Sequence, residues 1–383
     1  MIVEWSERMI YLDNAATTPL NLEVKKTIES VMDKYFMNAN SGYWPAININ
    51  DLQEKGRHTL ADLLKIHKDE LIFTGSGSES NNMAIKGIAF KYLNKSSKHI
   101  ITSSIEHSSV YETCKQLEGL GFEVTYLQPD QYGHINKQEI LDNIKDNTIL
   151  ISVTKINSEL GAMNKVEDIY KEIKAKNKQT ILHIDCVQAF GKYDLDFSKM
   201  DLASMSAHKI NGIKGSALLY KRNNVTLLPL ICGGEQEYGL RAGTSNYYYN
   251  IPFAKTYKLF LAKKESCSID DIYHTMIDLF NKDERIHINS PLEDCSHYII
   301  NISIPDYKSE VILNALEAEE IYISTKSACS TNVKRSRILD ALPIEDKYKD
   351  TAFRISFSLD TTLEEINTFY NKLSSILDNL VKG

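Results

Sequence analysis

A chain of 383 residues is long enough for one large and one smaller domain, each with its own core. Hydrophobic content of 43% and charged content of 25% are those of an ordinary soluble globular protein, and a formal net charge of −7 excludes nucleic acid as a primary ligand. No apolar run approaches the roughly 18 to 20 residues that span a bilayer, so no membrane association is expected. Met1 to Arg8 carries Glu4, Glu7 and Arg8 without an apolar core, so no signal peptide is expected either. The six cysteines (114, 186, 232, 267, 295 and 329) are scattered, without a CxxC pair, and read as reduced thiols in a cytoplasm. The ten histidines have no metal-ligand spacing, so no metal site is expected.

From about residue 70 to 222, short apolar runs alternate with helical patterns. The runs are Glu70–Thr74, His99–Ser103, Glu123–Leu127, Thr148–Val153, Thr180–Asp185, Leu202–Ser206 and Ser216–Tyr220. Val166, Ile169, Tyr170 and Ile173 fall at i, i+3, i+4 and i+7, one helical face between two of them. Such alternation predicts an α/β fold: a mainly parallel sheet covered by helices on both faces, with ligands at the carboxyl ends of the strands. After about residue 255 the pattern becomes α+β, with strand-like runs at Tyr298–Ile304 and Ala352–Ser358. A long amphipathic helix follows, opened by a capping box of Thr361 with Glu364 or Thr362 with Glu365.

Three stretches just after strand-like runs carry chemistry. Phe73 to Asn82 contains Gly75, Gly77 and Ser78 before a helical pattern from Met83 to Leu93. Such a glycine-rich strand-to-helix turn offers backbone N–H groups and a helix dipole to a phosphate. It matches neither nucleotide-binding pattern, and alone it reads equally as a plain cap. Asp185 ends the run Ile181–Asp185 and is followed by Gln188. An acid there is either a helix cap or a partner that holds a proton on a pyridine nitrogen. Ser206-Ala-His208-Lys209 follows the next strand, where a lysine is either solvated charge or the amine that bonds a cofactor aldehyde. Ser206 and His208 lie on one side of the chain, placed to hold a phosphate.

In order, a Gly/Ser turn, His107 after the 99–103 strand, Asp-x-x-Gln and Ser-x-His-Lys resemble the cysteine desulfurases of the NifS/IscS type. That group lies among the class V aminotransferases, pyridoxal-phosphate enzymes of fold type I. The resemblance runs from the opening Tyr11-Leu-Asp-Asn-Ala-Ala-Thr-Thr-Pro19 to about Ile366. It implies pyridoxal 5'-phosphate bonded to Lys209, with Asp185 on the ring nitrogen and Gln188 on the ring oxygen. His107 would stack on the ring and move protons. Gly77, Ser78, Ser206 and His208 would hold the phosphate, with Thr244 reaching across from the partner of a homodimer. Arg354 and Asn157 are the implied substrate contacts, a planar guanidinium suiting a carboxylate. The resemblance also implies a large cofactor domain over 16–254. A smaller domain, of 1–15 and 255–383, would carry the cysteine loop near 324–337. In Ser324-Thr-Lys-Ser-Ala-Cys329-Ser330, Cys329 is the implied nucleophile, since a thiolate can accept sulfur from L-cysteine and hold it as a persulfide. A sulfur-acceptor protein is the implied partner.

Several positions depart from the pattern. Ser158 stands where an asparagine normally reaches the ring oxygen, and its shorter hydroxyl predicts a longer or water-bridged contact. Glu235 replaces a glycine, Tyr238 an arginine, Lys326 a glycine and Ala39 a proline; Glu235 predicts altered local backbone geometry. The basic run Lys334-Arg335-Ser336-Arg337 reads as a solvated helix face, or else as a docking patch for an acidic carrier. Competing readings are a selenocysteine lyase, a transaminase (which has no use for a loop thiol) and a scaffold for sulfur-transfer partners without catalysis.

Overall fold

The computed structural model describes residues 9–95, 98–325 and 335–380. The chain enters through a short strand, β1 (Ile10–Tyr11), and two helices, Leu22–Lys34 and Trp44–Leu64. A seven-stranded sheet follows, built from β2 (Leu71–Thr74), β3 (His99–Ser103), β4 (Glu123–Leu127), β5 (Thr148–Thr154), β6 (Ile181–Asp185), β7 (Leu202–Ser206) and β8 (Ala217–Lys221). Its order is β2-β8-β7-β6-β5-β3-β4. The five strands β3 to β7 run parallel, while β8 pairs antiparallel with both β7 and β2. The mainly parallel α/β sheet read from the seven apolar runs is therefore the observed one, with strand ends within a residue of expectation.

The central strands are apolar on both faces because helices cover both, and β3, β5 and β7 are buried at every position. Several polar residues among them are paired across strands. His183 in β6 bridges Ser152 of β5 (2.8 Å) and Ser204 of β7 (3.0 Å), and burial pushes its pKa down to about 4. The imidazole is thus neutral at pH 7 and serves as a cross-strand tie. Cys114 and Cys186 are buried thiols pushed upward by desolvation, which makes both unreactive.

Beyond Phe253 the chain forms β9 (His287–Ile288), β10 (Ile299–Ser303), β11 (Ile321–Tyr322) and β12 (Ala352–Ser356). The order β12-β10-β9 is antiparallel, and β11 pairs with β1 in parallel. A separate hydrophobic cluster joins Ile10 and Leu12 to Met276, Phe280, Ile300, Phe353, Phe369 and Leu373. The last helix, Leu363–Asn379, is opened by the capping box of Thr362 with Glu365. Of the two registers the sequence allowed, this one places Ile366, Phe369, Leu373 and Leu377 on the buried face.

Candidate active site

The parallel strands end on one side of the sheet, and a cavity of about 190 Å³ opens there. Asp185 is the last residue of β6, and Lys209 closes the short 3-10 turn after β7, so neighbouring strands deliver an acid and an amine to one space. Gly77, Ser78, His107, Ser158, Gln188, His208 and Arg354 also line it.

The opening motif is the frame of this site. Thr18 binds the His208 carbonyl through its amide and its hydroxyl, and Asn211 donates back to Thr18 Oγ1 at 2.8 Å. On the other side, Ala15 donates to Ser356 Oγ of β12 at 2.8 Å. The segment is thereby stitched between the Lys209 turn and β12. Its carbonyls then point at the site: Lys209 Nζ donates to Ala15 O and to Ala16 O (2.7 Å), and Gln188 Nε2 donates to Ala15 O at 2.9 Å. Lys209 is only 9% exposed.

The carboxylate of Asp185 accepts from Val187 N (3.0 Å) and from Asn81 Nδ2 (2.7 Å). Asn81 lies on the helix Gly77–Ala89, one turn beyond Gly77, so the helix that offers its N-terminus also orients the acid. Ser76 caps this helix by accepting from Glu79 N. Position 77 has to be glycine, because a Cβ there would lie 2.7 Å from Val187 Cγ2. Behind it, 3.8 Å from that same point, sits Ser206 Cβ, whose buried hydroxyl has no partner among the described residues. His107 caps the helix Ser108–Glu118: its Nδ1 accepts from Ser109 N at 3.1 Å, which leaves the neutral ring's N–H at Nε2. His208, beside Lys209, is pushed down to about 3 by burial and then by the neighbouring lysines, so it is neutral.

Arg354 on β12 is 2% exposed. It donates to Asp13 Oδ1 (2.6 Å) and to Ser158 O (3.0 Å), while its Nε has no partner among the described residues. A buried guanidinium with a spare donor on a cavity wall suits a carboxylate ligand.

Two expectations are revised. Asn157 does not line the cavity: its Nδ2 donates to Ile105 O, and its Oδ1 accepts from Glu159 N and Leu160 N, each at 2.9 Å. That amide is spent on holding two turns together. Thr244, expected to act from the partner of a homodimer, is exposed and lies outside the cavity of its own chain. In the basic run, Arg337 is not the solvated charge expected, while Arg335 stays at the surface in ion pairs. Arg335 pairs with Asp340, Asp346 and Asp350, Ser336 is buried against Glu159, and Arg337 turns inward. Lys334, like Lys326 and Cys329, lies outside the described residues.

The altered backbone expected from Glu235 falls further along. Glu235 itself is at φ −88°, whereas Glu237 (φ 49°) and Tyr238 (φ 59°) take left-handed conformations. The reason is visible in the contacts. Glu237 places both carboxylate oxygens on Arg57 at 2.8 Å and accepts Phe73 N at 2.8 Å, and the Tyr238 ring lies 5.3 Å from that guanidinium. Sequence reading missed Asp13, Asn81 and Ser109. For Asn81 a signal existed, since it stands four residues after Gly77 on the same helical face.

Among the described residues no group of three metal-ligating side chains occurs, and no helix is long and apolar enough to cross a membrane. A lysine and an acid at adjacent parallel-strand ends, with a glycine-opened helix beside them, define a site of the class V aminotransferase kind, and the family model for aminotransferase class-V matches residues 10–369. The chain belongs to that family, in its NifS/IscS-like branch. It is 36% identical to the cysteine desulfurase IscS of Methanosarcina thermophila, over 99% of this chain and 94% of that one. A solved NifS-like protein superposes with a TM-score of 0.91 at 32% identity, covering 97% of this chain and all of its own. A structure of SspA in complex with cysteine superposes at 0.80, also with 32% identity, over 91% of this chain and 98% of that one.

Proposed function

We propose that this chain is a pyridoxal-phosphate-dependent cysteine desulfurase that converts L-cysteine to L-alanine and passes the sulfur to Cys329. The observation that carries the reading is the convergence of Lys209, Asp185 and Arg354 on one cavity beside the Gly77 helix terminus. The residues fit the cofactor by chemistry. The partnerless Ser206 hydroxyl and the first amides of the Gly77–Ala89 helix suit a phosphate, with Ser78 and neutral His208 beside them. Asp185, held anionic-side inward by Asn81 and Val187, suits a protonated pyridine nitrogen, and Gln188 and Ser158 suit the ring oxygen. When bound, the cofactor supplies an aldehyde for Lys209 and an electron sink for the substrate's Cα and Cβ.

The chain's own groups then divide the work. Arg354 binds the substrate carboxylate in place of part of its Asp13 contact and so orients the amino acid. Lys209 Nζ would take the Cα proton, and His107, on the cavity wall, would relay a proton through Nε2. The Cys329 thiolate forms a bond to the substrate sulfur as the Cβ–S bond breaks. The electron pair left on Cβ takes up a proton and Lys209 returns the abstracted proton to Cα, giving alanine and a persulfide on Cys329, which a sulfur-acceptor protein would then discharge.

The same reading makes 16–254 the cofactor domain and 1–15 with 255–383 the smaller one, a division supported by the separate cluster around Phe280 and Phe369. It also makes the enzyme a homodimer. Phe36 (80%) and Trp44 (76%) are exposed beside Tyr43 and Ile47, an apolar surface suited to a second copy, and exposed Thr244 would reach that copy's phosphate. Light scattering of the purified protein should return twice the chain mass; a monomer would remove Thr244 from the site. A reducing cytoplasm suits the free thiols of the described cysteines.

The test is alanine and sulfide release from L-cysteine by purified protein with added cofactor and a thiol reductant. Equimolar products support the desulfurase. Bound cofactor with turnover of selenocysteine alone would reassign the substrate, and no bound cofactor would overturn the reading.

A further inference from the structure

We infer that Arg337 is a positioning residue for His107, holding the turn that presents the imidazole to the cavity. Arg337 opens the short helix Arg337–Asp340, far along the chain from β3, yet its side chain returns to that strand's end. Nη1 donates to the carbonyl of Ser104 and Nη2 to the carbonyl of Glu106, so the two ends of one fork hold residues i and i+2 of the turn. The guanidinium carbon lies 3.9 Å from the centre of the Tyr111 ring, on the helix that His107 caps. Two contacts thus hold the backbone just before His107, and the third packs on a side chain one turn after it. The intervening carbonyl, Ile105 O, is held by Asn157 at 2.9 Å.

The cation is matched by dipoles rather than by a carboxylate. Among the described residues it makes no ion pair of salt-bridge length, although Glu106 is close by. The Glu106 side chain is fully buried, accepts from Ser103 Oγ and Thr154 N, and is pushed up to about 8 by desolvation. A half-buried arginine whose strong donors both go to two carbonyls of a single turn is placed to fix geometry. Its own backbone is anchored in turn: Ser336 Oγ donates to buried Glu159 at 2.5 Å, and Ile338 and Leu339 are buried in the main core. Lysine cannot substitute, since a single ammonium lacks the fork that spans both carbonyls.

The inference rests on the proposed role of His107 over the cofactor, and the experiment separates the two. Arg337→Met, Arg337→Lys, His107→Asn and the double variant Arg337→Met/His107→Asn are compared with wild type, and Arg335→Met serves as a surface control. Hydrogen exchange at amides 104–109 is followed in cofactor-free protein. Visible circular dichroism, alanine formation and melting temperature are followed with cofactor. Arg337→Met is expected to lose exchange protection in that turn, to shift the cofactor's dichroic band, and to lower kcat about tenfold with KM for L-cysteine within about twofold. Arg337→Lys should recover only part of this, and Arg335→Met should match wild type. The double variant should be no slower than His107→Asn alone, because both changes remove one function. A lower melting temperature with exchange, band and kcat unchanged would overturn the inference, as would losses that multiply in the double variant. If wild type binds no cofactor, the cofactor reading fails, and exchange in the cofactor-free turn alone decides for or against Arg337.

Discussion

Lys209→Ala is expected to lower alanine formation from L-cysteine by at least about a thousandfold and to let the cofactor dialyse away. The side chain is buried, and its amine sits where two backbone carbonyls, Ala15 O and Ala16 O, accept from it. A methyl group leaves both carbonyls without that donor and removes the amine placed to bond an aldehyde and to take a proton from Cα. Cys329→Ser is expected to give an equal loss of sulfide with a different signature. The cofactor's visible absorption should persist, because the hydroxyl changes only the sulfur-accepting step. Absorbance spectra beside sulfide and alanine assays distinguish the two. Retention of more than about a tenth of wild-type rate by either variant would remove that residue from the role assigned to it.

Arg354→Lys is expected to raise KM for L-cysteine about a hundredfold, close to 3 kcal/mol, with a much smaller change in kcat. The guanidinium is 2% exposed and uses separate nitrogens for Asp13 and for Ser158 O. One ammonium at that depth can serve Asp13 or a substrate carboxylate, and it lacks the planar fork that serves both. Steady-state kinetics over a range of cysteine concentrations read the split directly. A kcat loss at unchanged KM would place Arg354 in the chemical step instead.

The strand pattern was legible because it is local. Seven apolar runs at the spacing of strands and helices can bury both faces only in a covered parallel sheet, and their limits hold to within a residue. Asp185, Lys209 and Gly77 were legible for a related reason: each sits directly after a strand, where the fold puts ligands whatever the rest of the chain does. The capping box at Thr362 shows the limit of local reading. Two registers satisfied the motif; Thr361 Oγ1 is taken up by Ser358 N of the preceding turn, and Thr362 makes the cap.

Residue type and spacing by themselves determined the sheet, since each strand depends on neighbours a few positions away; the acid, the amine and the Gly/Ser turn each kept a plain structural alternative until the family resemblance joined them. Tertiary structure alone decided what each polar side chain bonds to when its partner is distant in the chain. Asn157 looked like a substrate contact and is spent on Ile105 O; Arg337 looked like surface charge and is drawn inward to Ser104 and Glu106. Asp13 gains a role only because β12 brings Arg354 beside it, and Tyr238 a partner only because Glu237 fixes Arg57 nearby. A buried donor or acceptor must be satisfied by whatever packing brings within reach, and packing is a property of the whole chain.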